Sequence, residues 1–118
     1  MALVGALKAW NPGNVESDKN PDFNNRLVVV NKPPFTREKW THVAIVYSGL
    51  GEGEGTATLY VNGESQGQRK GIKEVFDWEP SATTLRLGVS YVGLMDDIAT
   101  FKRPLTEKEV KELSTGKW

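Results

Sequence analysis

The chain has 118 residues, with fifteen basic and fifteen acidic side chains that cancel, and no cysteine. That length suits one domain able to bury roughly two-thirds of the surface its unfolded chain exposes. Without cysteine there is no disulfide framework, zinc–thiolate centre or thiol nucleophile, and zero net charge without a long run of either sign argues against nucleic acid as a partner.

Residues 1–10 (MALVGALKAW) hold a short apolar run. It lacks the basic start and the length of a signal peptide or membrane span, so no membrane insertion is expected. Val4 to Trp10 reads as a strand, and any targeting segment would lie upstream. Residues 11–25 form a polar Asn-, Asp-, Pro- and Gly-containing loop, and loops of that length are often functional. Arg26 to Asn31 is a β-branched strand ended by Lys32-Pro33-Pro34-Phe35.

Trp40 to Ser48 (WTHVAIVYS) is the clearest strand. Gly49 to Gly55 is a glycine-rich loop, and Thr56 to Asn62 returns as the partner strand. Asn62-Gly63 has the chemistry of a type I′ turn, so residues 64–70 should fold back as a short polar strand. Gly71 to Ala82 connects to a strand at Thr83–Gly88, and Tyr91 to Lys102 reads as a closing strand. Residues 107–114 are the one convincing helix: Thr106 with Glu109 forms a capping box, Leu105 with Val110 a hydrophobic staple, and Gly116 suits the C-terminal cap. Short strands separated by Gly, Asn and Pro indicate an all-β sandwich or jelly roll.

Three ordered motifs carry a family resemblance. Trp40-Thr41-His42-Val43-Ala44 resembles a W-x-H-V-A strand, and Leu59-Tyr60-Val61-Asn62-Gly63 an L-Y-V-N-G strand and turn. Leu85 to Gly88 with Gly93 to Leu105 resembles a G-x-[IM]-D-[DE] closing strand leading to a helix. Together, over roughly residues 26 to 114, the chain is similar to laminin G-like, concanavalin A-like domains. The resemblance implies an antiparallel jelly-roll β-sandwich with one short C-terminal helix, over residues 1–118 as one domain. Such domains carry more strands before the W-x-H-V-A strand than this chain provides. A shortened front would leave an exposed sheet edge, and self-association through that edge is expected.

The resemblance also implies an extracellular, periplasmic or cell-surface module that binds carbohydrate or glycoprotein. A structural or adhesion module is the alternative, and a glycoside hydrolase fragment comes last. Asp96 and Asp97 are adjacent, so on a strand they face opposite sides and cannot share one glycosidic bond, which needs two carboxyls about 5–9 Å apart. Glu52 and Glu54 have matching parity but sit among glycines, and His42, the sole histidine, reads as a packing residue. No catalytic residue and no enzyme activity is expected.

Sugar rings present apolar C–H faces that stack on aromatics, with hydroxyls left for polar side chains. Trp40 is expected in the core. Tyr60 alternates with Leu59 and Val61 and could face a concave sheet with Asn62. Trp10, Trp78 and Tyr91 flank loops and are the remaining ligand-binding candidates, although anchoring of loops explains them equally. Calcium is the one cofactor to consider, as in other members of this superfamily, with Asp18, Asp22, Asp77 and Asp96 as candidate ligands because calcium takes hard oxygen donors. Turn propensity accounts for the Asn and Asp of the first loop just as well.

Overall fold

The computed structural model describes residues 2–4, 27–51, 54–72, 79, 81 and 91–116. The described strands are β1 (Ala2–Val4), β2 (Leu27–Val29), β3 (Val43–Ser48), β4 (Gly55–Val61) and β5 (Glu64–Ile72), followed by the helix α1 (Glu107–Ser114). They form two antiparallel sheets, β1-β2 and β3-β4-β5. The strand expected at Thr83–Gly88 lies outside the described residues, as do residues 5–10 of the first strand.

The three-stranded sheet follows directly from sequence. Asn62 and Gly63 have φ of 51° and 80°, the positive values that a two-residue type I′ hairpin turn requires. The turn sets Val61 opposite Glu64 and so fixes the register of β5. On the other side Val43 pairs with Val61, Ile45 with Leu59 and Tyr47 with Ala57. Paired residues share a face, so Ala57, Leu59 and Val61 line one side of β4 and all are buried.

The core cluster is Val28, Ala57, Leu59 and Ile72, with Val30, Tyr47 and Leu50 packed against it. Register shifts between Leu59 and Tyr60, where Gly67 of β5 lies opposite Leu59. Gly67 has φ of 134°, and a Cβ there would stand 3.4 Å from the Val28 side chain. The absent side chain lets β2 approach β5 closely.

α1 is locked at its start. The Glu109 N–H donates to Thr106 Oγ1 at 3.3 Å, and the Thr106 N–H donates to Glu109 Oε2 at 2.8 Å. Arg103 adds two bonds to the same carboxylate, at 3.0 and 2.6 Å, the bidentate geometry that suits a guanidinium. Val110 is fully buried and Leu105 half-buried. Gly116, at φ of 73°, ends the helix with its N–H on Leu113 O.

Arg103 hydrogen bonding, followed by the Thr106 backbone and hydroxyl, draws the Glu109 carboxyl down from 4.5 to about 2. A carboxyl depressed on folding stabilises the native state above its unfolded value and loses that contribution as pH falls through the folded one. The helix lock should therefore hold above about pH 4.5 and fade toward pH 2. A carboxyl-carbon NMR titration of Glu109 with its midpoint near 4.5 would show that the lock is not formed in solution.

One expected element is absent. Residues 91–106 contain no strand. Asp97 has φ of 51°, and its N–H is taken by the Asp96 side chain at 2.9 Å. A local side-chain bond of this kind competes with a sheet ladder. The strand parity expected for Asp96 and Asp97 therefore does not apply, and both are exposed.

Candidate functional site

The surface around Phe35 and Tyr91 brings together residues far apart in sequence. Pro33-Pro34 breaks the chain after β2 and delivers Phe35 to the surface. Tyr91 meets it edge-on, ring centres 6.2 Å apart and planes at 68°, a favoured aromatic geometry. The Tyr91 hydroxyl donates to Leu94 O at 3.3 Å. The ring folds over Gly93, where a Cβ would come 2.5 Å from the phenol oxygen. Both rings remain exposed. The Pro34 carbonyl accepts a long bond from the Thr41 hydroxyl, 3.5 Å, tying the breaker to the segment that enters β3.

Trp40 lies in that segment, ahead of β3, and is 69% exposed. The core role expected of it is not observed, because β3 begins only at Val43 and the indole stays outside the sheet. Tyr60, in the middle of the hairpin, is only 8% exposed and Thr58 beside it is buried, so the face expected to present Tyr60 is covered. Asn62 is exposed, but its Oδ1 accepts the His42 N–H at 3.0 Å while its own N–H donates to His42 O at 2.8 Å. That side chain closes the end of the β3–β4 ladder.

His42 Nδ1 is shielded from solvent and has no hydrogen-bond partner among the described residues, and burial lowers the ring's pKa. A neutral ring suits this position. Asp96 is exposed with one oxygen engaged by Asp97. Among the described residues no three His, Asp or Glu side chains converge to hold a metal ion. A single carboxylate is far short of the six to eight oxygens, roughly, that calcium takes. Trp10, Trp78, Asp18, Asp22 and Asp77 lie outside the described residues.

Of the expected ligand-binding residues, Tyr91 is displayed on the surface and Tyr60 and Asn62 serve the sheet. Phe35 and Trp40 join the exposed aromatics without having been singled out for binding. Phe35 had one signal in sequence, an aromatic placed directly after a Pro-Pro breaker, where no strand can bury it.

Among the described residues, antiparallel hairpins, a closing capped helix and a surface aromatic pair define a mostly-β module with one short helix. The chain belongs to the Concanavalin A-like lectin/glucanases superfamily, whose Laminin G model matches residues 7–111. It is similar to a solved S-layer domain-containing protein (residues 221–444) from Clostridium thermocellum, with 26% identity and a TM-score of 0.56. The match covers 73% of this chain but 44% of that one, less than half its length. No curated protein matches the chain. No helix among the described residues is long and apolar enough to cross a membrane.

Proposed function

We propose that the chain is a non-catalytic binding module that recognises carbohydrate, free or on a glycoprotein, within a secreted or cell-envelope protein. The observation that carries this reading is the exposed Phe35–Tyr91 pair on a chain of a lectin-containing superfamily. Tyr91 is already fixed by Phe35, Gly93 and Leu94 O. Stacking a sugar ring on it therefore forfeits little rotamer entropy. A complete jelly-roll sandwich is the architecture we assign to the whole fold. The S-layer domain-containing neighbour supports a cell-surface, extracellular or periplasmic setting.

The test is retention on a panel of polysaccharide affinity gels, with calcium and with chelator. The calcium arm covers Asp18, Asp22 and Asp77 together with Asp96. Tyr91→Ala should weaken binding at least about tenfold, about 1.4 kcal/mol, with melting unchanged. Absence of retention on every polysaccharide in both arms would sink the reading. A second reading, a structural or protein-adhesion module, is favoured by the exposed apolar side chains of Val92, Leu94, Met95, Ile98 and Phe101, and it predicts that outcome.

A further inference from the structure

Of the chain's asparagines only Asn62 is followed by a glycine. A glycine leaves its backbone nitrogen unshielded, which makes Asn-Gly the pair most prone to cyclise. Asn62 is exposed, so water reaches its amide, while Gly63 is buried. Three features of the fold hold the pair back from that reaction. Asn62 has φ of 51°, and in a left-handed type I′ turn the next nitrogen lies anti to Cβ. Ring closure must bring that nitrogen onto Cγ, so the Asn62–Gly63 peptide has to rotate first. The Asn62 Oδ1 accepts the His42 N–H at 3.0 Å, which holds the side chain toward β3. Gly63 lies beneath α1: the place of its missing Cβ is 2.6 Å from Ser114 Oγ and 3.1 Å from Lys111 Cα. Rotating the peptide drives Gly63 against that helix.

We propose that Asn62 is a deamidation site gated by α1, unreactive while the helix is seated on the β4–β5 turn and reactive when it lifts. In the opened state the Gly63 nitrogen gives its proton to solvent and attacks Asn62 Cγ. The N–Cγ bond forms, the Cγ–Nδ2 bond breaks, and ammonia leaves from a cyclic imide. Water then opens the imide at either carbonyl, giving aspartate or isoaspartate. The balance is a water taken up and an ammonia released, with nothing oxidised or reduced. Aspartate keeps an acceptor for the His42 N–H. Isoaspartate instead routes the main chain through the former side chain and lengthens it by a methylene. A two-residue turn cannot take the longer link and still set Val61 opposite Glu64. Gly63 then no longer fits beneath Ser114. A reversible lifting of α1 thereby becomes a permanent one.

Peptide mapping by mass spectrometry, during incubation of the whole chain in mildly alkaline buffer, tests the gate. Aspartate and isoaspartate at position 62 should form at least about tenfold more slowly in the native chain than in guanidinium chloride, since modification of an opened state follows its population. Thr106→Ala removes the α1 cap without touching the reacting atoms, and should raise the native rate about fivefold. Gly71→Ala on β5, with nothing within 4 Å of its added Cβ, should leave the rate unchanged. Should the Thr106 variant fail to fold, Glu109→Gln takes its place. It keeps an amide for the capping box but loses the charged pairing with Arg103, and it too should speed the native reaction. Equal rates in the native and denatured chain, no acceleration on loosening α1, or the same acceleration from Gly71→Ala would each overturn the proposal.

Discussion

Replacing Gly63 by alanine should lower folding stability by about 2–5 kcal/mol, read from the urea midpoint. Two effects add. At φ of 80° an L-residue meets its own carbonyl, about 1–2 kcal/mol. The new Cβ would also stand 2.6 Å from Ser114 Oγ and 3.1 Å from Lys111 Cα. Those atoms belong to α1, and forcing them away costs about 1–3 kcal/mol in overpacking. Gly71 separates the two contributions. Its φ is 72°, but nothing lies within 4 Å of an added Cβ, so Gly71→Ala should lose only the backbone part, about 1–2 kcal/mol. Equal losses at Gly63 and Gly71 would show that α1 is not seated on the β4–β5 turn.

The turn and the helix that sits on it were both legible in sequence because each is specified locally. Asn62-Gly63 names its turn type, and the turn sets the β4–β5 register with no help from distant residues. Thr106 and Glu109 are three residues apart and satisfy each other. Covering is a non-local property, and there the sequence misled. Alternation placed Tyr60 on a face correctly but could not say that the face would be covered. Trp40 heads a strongly apolar stretch, yet the ladder closes only at Asn62 with His42, leaving the indole ahead of it. Leu94 to Phe101 has the composition of a strand, but a strand exists only with a neighbour. Asp97 takes a left-handed turn that the side chain of Asp96 holds. The Phe35–Tyr91 contact joins two loops by rings that no spacing rule connects.

The contrast in burial between β4 and β3 sets the scale of the second large effect. Leu59→Ala should destabilise the fold by about 2–5 kcal/mol, the range for truncating a buried leucine in a core that cannot collapse around the cavity. Leu59 is 1% exposed, beside Val28, Ala57 and Ile72. Domains have only about 5–15 kcal/mol to lose, so at mid-range the urea midpoint should fall by roughly a third. Ile45 is directly across the ladder from Leu59 on the same face, but its side chain is half in water. In dilute, monomeric solution Ile45→Ala should therefore lose about 1 kcal/mol or less, scaling with the smaller area it buries. The ratio of the two losses measures how far the core extends from β4 toward β3. Comparable losses at Leu59 and Ile45 would mean that β3 is covered in the monomer. That result would leave the exposed aromatic rim as the surface through which the chain meets other molecules.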